Sequence, residues 1–169
     1  MKLIQLLNEV ILPPGLKKEL SKLKDEGWTV LGGGDNGIAL QKGSTVKKLT
    51  TDVDELEHAE KLLNHSFSCI IPISNVEILP GGKTGIIDMV DAEELTEEER
   101  AEISINGTKA EDFLVYDEEL NLDLSDDKLK QFLTGLKEAF KEVGINPDEI
   151  DWSPTNVMNY KGSYVLVDV

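Results

Sequence analysis

The sequence has a single cysteine, Cys69, among its 169 residues. One thiol cannot form an internal disulfide or supply a zinc site built from several cysteines. There is also no apolar run of about eighteen residues, so we expect no transmembrane helix. The first ten residues contain polar side chains throughout and no small-residue cleavage site, which argues against a signal peptide. These absences together predict a protein of the reducing cytoplasm.

Positive charge is also scarce, since 17 Lys and Arg residues face 33 Asp and Glu residues and the net charge is -16. The imbalance is concentrated in residues 91–127, here called the acidic segment, where fifteen acidic residues face only Arg100 and Lys109. We therefore expect no direct binding to nucleic acid or to an anionic membrane, whereas a basic partner protein would be favoured. A solvated, helix-rich surface or a loose insertion explains the segment without any partner.

The leucine spacing predicts two helices near the N-terminus, and neither carries recognisable chemistry. Leucine, valine and isoleucine recur at helical intervals over residues 3–11, and Pro13 and Pro14 end that run. A second helix is predicted over residues 15–26, with Gly27 as its left-handed cap. His58 and His65, the only two histidines, are isolated in the sequence, and we expect both to lie at the surface.

A glycine cluster follows, in the order strand, glycine turn, strand. The strands are predicted over residues 28–31, 38–41 and 45–49, and the glycines are Gly32, Gly34 and Gly37. This glycine spacing is a weak signal by itself because dinucleotide-binding folds share it, but there it opens a helix. Here a strand follows, so the pattern predicts a hairpin whose bare backbone can approach a phosphate chain. Asp35 and Asn36 at its tip also fit an ordinary turn.

The third predicted strand contains a candidate lysine, and the helix after it contains a candidate glutamate. Side chains alternate along a strand, so Val46 and Lys48 share one face and Lys47 points to the other. A helix is predicted over residues 52–64, and Glu55 shares its apolar face with Ala59 and Leu62. The spacing of Val46 and Lys48 selects Lys48 as the functional lysine, and the alternative is that both Lys47 and Lys48 are solvated lysines on an edge strand.

The remaining pattern completes a sheet and then becomes helical. Residues 68–90 predict a hairpin whose first arm contains residues 70–73 and 76–79 and whose second arm is 85–90, which with the three earlier strands gives about five antiparallel strands in all. Met89 lies in the strand predicted at 85–90, and either core packing or contact with a ligand would explain an apolar residue there. Helices are predicted near 96–103 and 109–120, and the strongest one covers residues 125–143 with Ser125 as its N-cap.

The last nineteen residues combine two carboxylates and one carboxamide. Asp151 is followed by Pro154 and Asn156, and then by a strand, a turn and a strand that end at Asp168. With the upstream glycines, lysine and glutamate, this order resembles the protein kinase-like superfamily, and the loop is closest to those of its aminoglycoside- and choline-kinase relatives. The resemblance implies an α+β, two-lobed fold. Its five-stranded antiparallel small lobe would occupy residues 1–90, and a reduced, mostly helical large lobe residues 91–169, with the catalytic-loop hairpin at 151–168.

The resemblance also implies a role for each matched residue. Asp151, Lys48 and Glu55 would be catalytic, and Asn156 and Asp168 would bind Mg²⁺, which prefers oxygen ligands. ATP would be the nucleotide. Its binding residues would be Gly32, Gly34, Gly37, Val46, Lys48 and Met89.

The sequence departs from that family in ways that leave the activity open. Glu149 and Ile150 stand where protein kinases have His-Arg, and Ser153 stands where a lysine or histidine is usual. We also expect the activation segment to be missing, because Asp168 is followed only by Val169. One hypothesis is a minimal ATP- and Mg²⁺-dependent phosphotransferase acting on a hydroxyl of a protein or small molecule. The other is a weak or inactive kinase-like binding module, a pseudokinase or inhibitor, that engages a basic partner protein. An α+β domain with accidental motif matches is a third possibility, and oligomerisation is compatible with each.

Overall fold

A computed structural model describes residues 12–116, 119–120, 127–151 and 153–168. Over these residues the protein is α+β, with five helices, a five-stranded antiparallel sheet and a separate two-stranded hairpin. The chain divides into two compact units. The first comprises residues up to Asn64 together with Ile73–Asp91, and the second comprises His65–Pro72 together with residues from Ala92 onward. Across the described ranges, no helix is both long enough and apolar enough to cross a membrane.

The first unit is built on the five-stranded antiparallel sheet that the sequence predicts. Its spatial order is β1-β2-β3-β5-β4. The strands are β1 Thr29–Gly34, β2 Gly37–Lys42, β3 Thr45–Thr50, β4 Ile73–Ile78 and β5 Gly85–Val90. Gly32 and Gly34 lie inside β1 and Gly37 begins β2, so the turn consists only of Asp35 and Asn36. The prediction that the glycines themselves form the turn is wrong, because the pairing of β1 with β2 continues through the glycines up to this two-residue turn.

One helix covers each face of this sheet. Helix α1 (Pro14–Asp25) begins with a proline, which suits a first helical turn, and ends before Gly27, whose φ of 87° confirms the predicted left-handed cap. Its buried Leu16 and Leu23 pack with Ile38, Leu40, Leu49 and Ile86 of the sheet. Helix α2 (Val53–Leu62) packs against β3, β4 and β5 on the face opposite Leu49.

Two expectations for the first unit need correction. His58 was expected at the surface, but it is buried with 4% of its surface exposed, because it lies on the inward side of α2. Ile70 and Ile71 were expected to begin the fourth strand. They belong instead to the second unit, where the Ile71 amide donates to the Leu166 carbonyl at 3.0 Å and the Leu166 amide donates to the Cys69 carbonyl at 2.9 Å.

The second unit is organised around its longest helix. The helices are α3 Glu97–Ile105, α4 Gly107–Val115 and α5 Asp127–Val143, followed by 3-10 turns at Pro147–Glu149 and Pro154–Asn156 and by strands β6 Val157–Tyr160 and β7 Ser163–Leu166. The apolar stripe of α5 is buried from Leu129 to Phe140, which confirms the strongest predicted helix. Its Phe132 ring packs edge-on against Tyr164 of β7, with the centroids 6.0 Å apart. The predicted helix over residues 3–11 and the predicted N-cap at Ser125 fall outside the described residues.

The described part of the acidic segment is mostly helical and packed on one side. Ile103 of α3 and Ala110 and Leu114 of α4 are buried, whereas Glu97 and Glu98 are exposed. This part of the acidic segment therefore agrees with the expectation of a solvated, helix-rich surface and not with that of a loose insertion.

Glu99, in the same turn of α3, is engaged inside the unit. Lys128 of α5 donates to Glu99 Oε1 at 2.9 Å and to Asn159 Oδ1 at 2.6 Å, and Asn159 Nδ2 donates to Glu99 Oε2 at 2.8 Å. These three side chains, here called the Glu99 triad, join α3, α5 and β6. Partial burial acts to raise the pKa of Glu99, but hydrogen bonds from Lys128, the Thr96 backbone and Asn159 outweigh it and lower the pKa to about 2.

The Glu99 triad should make stability depend on pH in the acid range. Because the folded-state pKa lies near 2, below the ordinary value of 4.5, the contribution is complete above about pH 5 and is lost as the pH falls toward 2. We expect Glu99→Gln to lower the free energy of unfolding by about 1–2 kcal/mol at pH 7. Urea unfolding at a series of pH values should show this difference shrinking below pH 5. The exposed Glu97→Gln is the control, with a small difference at every pH, and a Glu99→Gln deficit that does not change with pH would contradict the assignment.

Candidate functional site

The strand register places the predicted nucleotide-binding residues of the first unit on one face of the sheet. Gly32 pairs with Ala39, and Ala39 pairs with Lys48. One step along the same face, Val46 of β3 pairs with Met89 of β5. Residues directly opposite one another in an antiparallel sheet point to the same side, so these five share a surface. We call it the Lys48 face.

Lys48 is held on this face by a carboxylate from helix α2. Its Nζ lies 2.6 Å from Glu55 Oε1, and the exposed fractions of the two side chains are 18% and 6%. The expectation that Glu55 faces inward is confirmed. Breaking a largely buried pair by removing one partner leaves an uncompensated charge and typically costs about 3–5 kcal/mol, so this pair constrains the register of β3 against α2.

The neighbouring lysine serves as an internal comparison. Lys47 points to the opposite face, as its position predicts, and lies 2.6 Å from Asp88 Oδ1. Its ammonium also lies 5.4 Å from the centre of the Trp28 ring. Lys47 therefore joins β3 to β5 and to Trp28, the residue before β1, on the side away from the Lys48 face.

The tip of the glycine hairpin is fastened to the start of helix α2. The Asn36 carbonyl accepts a hydrogen bond from the Thr51 amide at 2.7 Å, and Asn36 Nδ2 donates to Asp52 Oδ2 at 3.1 Å. Asp52 in turn caps α2, because its Oδ1 accepts from the amides of Asp54 and Glu55. The hairpin and the helix that carries Glu55 are thus connected by direct hydrogen bonds.

The three glycines differ in what the fold demands of them. A Cβ at Gly37 would meet the Leu49 carbonyl oxygen well inside contact distance, so the close approach of β2 and β3 requires glycine there. A Cβ at Gly32 or Gly34 would have no atom within 4 Å. Glycine inside a strand is unfavourable unless another backbone or a ligand approaches closely. The described contacts therefore give no packing reason for Gly32 and Gly34.

On the same face as Lys48, Val46 and Met89 form a buried apolar pair. Val46 and Met89 are 8% and 7% exposed, and they lie directly opposite each other on adjacent strands. Lys48 and this apolar pair therefore lie on the same sheet face, with Val46 two residues before Lys48 on β3, which would suit a ligand with one anionic end and one flat apolar end.

In the second unit, Asp151 and Asn156 are brought together by the turns of the last stretch. Asn156 Nδ2 donates to the Asp151 backbone oxygen at 3.1 Å and lies 3.3 Å from Asp151 Oδ2. These contacts use the amide nitrogen, and the Oδ1 of the same carboxamide is an acceptor oxygen. The Val167 amide donates to the Asn156 carbonyl at 2.9 Å, so Asn156 and the residue before Asp168 are joined across the hairpin.

These residues fit a magnesium ion in their donor chemistry. Asn156 Oδ1 and the Asp168 carboxylate are hard oxygen ligands, and Mg²⁺ keeps several waters when a protein supplies only one or two groups. Within the ranges that the structure describes, no set of three His, Cys, Asp or Glu side chains converges to hold a metal ion, at these residues or at any others. The metal assignment thus depends on one carboxamide and one carboxylate.

Sequence reasoning did not select three side chains: Ala39 and Thr50, which the structure places beside the Lys48–Glu55 pair, and Asn159, which it places in the Glu99 triad. Ala39 lies opposite Lys48, and its position two residues after Gly37 in an alternating strand could have revealed it. Thr50 contacts Glu55. Asn159 follows Asn156 by three residues and joins the Glu99 triad. No local pattern signals these last two contacts.

Comparison with known proteins does not extend this assignment, since the sequence matches no protein-family model and no curated protein. The functional proposal therefore depends on the contacts of the residues described above.

Alanine substitution should separate the glycine that the fold needs from those that it does not. We expect Gly37→Ala to lower the free energy of unfolding by about 1–3 kcal/mol, because β2 and β3 must move apart. Gly32→Ala and Gly34→Ala should leave it unchanged or raise it by up to about 1 kcal/mol, because alanine restricts the unfolded chain. Urea unfolding of the three variants measures the difference. Equal losses at all three positions would show that packing, and not a ligand, explains Gly32 and Gly34.

Proposed function

We propose that the chain is a minimal kinase-like phosphotransferase that uses ATP and Mg²⁺ and acts on a hydroxyl of a protein or small molecule. In this proposal the first unit is the small lobe of a two-lobed kinase-like fold, and the second unit is a reduced large lobe. The residues assigned to the nucleotide lie in the first unit, and those assigned to the metal and the acceptor lie in the second.

The observation that carries the proposal is the Lys48–Glu55 pair on the same sheet face as Gly32. An ammonium held at a fixed place by a buried carboxylate is suited to contact phosphate oxygens, whose negative charge increases during transfer. Gly32 and Gly34 leave bare backbone on β1, two strands away from Lys48 in the sheet, where a phosphate chain can approach closely. Val46 and Met89 provide apolar surface for an adenine ring.

The second unit would supply the remaining chemistry. Asp151 is exposed and would orient the acceptor hydroxyl and take its proton as phosphoryl transfer proceeds. Asn156 and Asp168 would hold the metal, which when bound supplies positive charge to neutralise the phosphates. The hydrogen bond from Asn156 Nδ2 to the Asp151 backbone keeps these two functions in one loop.

A second candidate function is a kinase-like module that binds a nucleotide or a basic protein without turnover. It is favoured by the exposure of Glu97 and Glu98 on α3, a helix with no basic residue in its last turn. Glu99 does not belong to that surface, because it is engaged in the Glu99 triad. Neutralising Glu99 would therefore disturb packing and not only a docking surface.

Nucleotide binding can be tested with two adjacent lysines. We expect Mg-ATP at about a hundred times its Kd to stabilise the wild type by about 2.7 kcal/mol, and Lys48→Met to abolish that gain. Lys47→Met is the matched control, since it also removes a paired strand lysine but from the opposite face. The measurement is the change in unfolding midpoint on adding Mg-ATP to each variant.

In that comparison, Lys47→Met should lose intrinsic stability but keep the full response to Mg-ATP. Asp168→Ala should reduce the response only when Mg²⁺ is present. A wild type that shows no response at millimolar Mg-ATP would defeat the proposal, and an equal loss in both lysine variants would remove Lys48 from the nucleotide site.

Turnover is tested separately from binding by Asp151→Asn. This change removes the basic oxygen but keeps the size of the side chain, so we expect turnover of γ-labelled ATP to fall about 10²–10⁴-fold while the Kd for Mg-ATP stays within about twofold. Asp148→Asn, an exposed carboxylate on the preceding 3-10 turn, is the control and should retain activity. Basic proteins and small alcohols serve as trial acceptors. Tight Mg-ATP binding with no turnover, identical in wild type and Asp151→Asn, would favour the binding module.

A further inference from the structure

Thr50, the last residue of β3, is a polar side chain with 0% of its surface exposed. Its hydroxyl lies 2.7 Å from Glu55 Oε2 and 3.0 Å from the Asp52 amide nitrogen, and 3.3 Å from the Asn36 carbonyl oxygen. Thr50 thus lies where strand β3, the cap of helix α2 and the tip of the glycine hairpin meet.

The direction of the Thr50 hydroxyl follows from its neighbours. A hydroxyl has a single proton, and two acceptors compete for it, the Glu55 carboxylate and the Asn36 carbonyl. The carboxylate is charged and closer, so the Thr50 hydroxyl donates its hydrogen bond to the carboxylate. The Asp52 amide can only donate, and it occupies a lone pair of the Thr50 oxygen. The hydroxyl is therefore held as a donor to Glu55.

This arrangement fixes the Glu55 carboxylate at both oxygens. Oε1 contacts the Lys48 ammonium at 2.6 Å and Oε2 accepts from Thr50 at 2.7 Å. Rotation of the carboxylate would weaken both contacts inside a site where water is largely excluded, which is unfavourable for a charged group. The position of the ammonium on the Lys48 face thus depends on a hydroxyl that does not touch it.

We propose that Thr50 is a positioning residue for the nucleotide site, which acts through Glu55 to aim the Lys48 ammonium at the phosphates. The effect on nucleotide binding rests on the proposed function, whereas the effect on Lys48 itself does not. Asp52 is hydrogen-bonded to Asn36 at the hairpin tip, to the Thr50 hydroxyl and to the Glu55 amide. A shift of the hairpin tip would therefore also move Glu55 and, through it, Lys48.

The first test uses Thr50→Val, which removes the hydroxyl at nearly constant shape, beside Thr50→Ser, which keeps it. We expect Thr50→Val to weaken Mg-ATP binding about tenfold while adenosine, which has no phosphates, binds within about twofold of wild type. Thr50→Ser should restore Mg-ATP affinity to within about threefold of wild type. Calorimetry with both ligands separates the two effects. Equal weakening of ATP and adenosine would show a merely structural role, and unchanged ATP binding would also overturn the proposal.

The second test needs no nucleotide and compares two lysines in the same molecule. Lys48 and Lys47 have similar exposed fractions, 18% and 22%, so their acylation by a limiting amine-reactive ester can be compared by mass spectrometry. We expect Thr50→Val to raise the Lys48 to Lys47 labelling ratio about fivefold, because the Glu55 contact loosens, and Thr50→Ser to leave it unchanged. An unchanged ratio in Thr50→Val would contradict the positioning role.

Nucleotide affinity tests the proposed function, and the Lys48 to Lys47 labelling ratio tests the positioning role of Thr50 independently of it. If the wild type binds neither Mg-ATP nor adenosine, the proposed function fails, and the labelling ratio alone decides whether Thr50 positions Lys48. If Thr50→Val does not fold, Thr50→Cys replaces it, because a thiol is a small but weak donor. For Thr50→Cys we expect the same selective loss of ATP affinity and the same rise in Lys48 labelling, each smaller than predicted for Thr50→Val. The absence of both changes would contradict the positioning role of Thr50.

Discussion

The pairing of Lys48 with Glu55 is the interaction on which the first unit and its proposed chemistry depend. Two charges that are mostly removed from water are tolerated only when each has a partner of fixed geometry. That requirement ties the register of β3 to the rotation of α2 about its axis, because only one helical face can present Glu55 to the sheet. The caps and contacts supplied by Asp52 and Thr50 then hold the helix in that rotation.

The sequence predicted the parts of this arrangement that depend on local periodicity. Alternation along β3 placed Lys48 and Lys47 on opposite faces, and helical spacing turned Glu55 inward; both are observed. The cap at Gly27, the five-stranded antiparallel sheet and the long helix α5 follow from equally local rules. The two-lobed kinase-like organisation, the nucleotide and the metal remain predictions, since periodicity places a side chain on a face and does not identify its ligand.

What the sequence missed depends on partners distant along the chain. The apolar run at Ile70 and Ile71 has the composition of a strand of the first unit, but the Ile71 amide donates to the Leu166 carbonyl of the second unit. His58 is buried because it lies on the inward side of α2, three residues after Glu55 and four before Leu62. Lys128 and Asn159 look like ordinary surface residues, and only the folded second unit shows that they surround Glu99. A hydrophobic or charged pattern reports that a residue needs a partner but not which one.

The placement of residues 65–72 has a consequence for the order in which the protein can be assembled on the ribosome. This stretch interrupts the sequence of the first unit, yet its backbone pairs with a strand that is synthesised much later. Once residues up to Asp91 have emerged, the five-stranded sheet has all its strands, while Ile70 and Ile71 still lack theirs. During that interval a nascent chain exposes two isoleucines and unpaired backbone groups, which are typical targets for chaperones and for aggregation. The two units are thus coupled in folding time by a short inserted segment, and a fragment cut after the sheet would carry that exposed segment permanently.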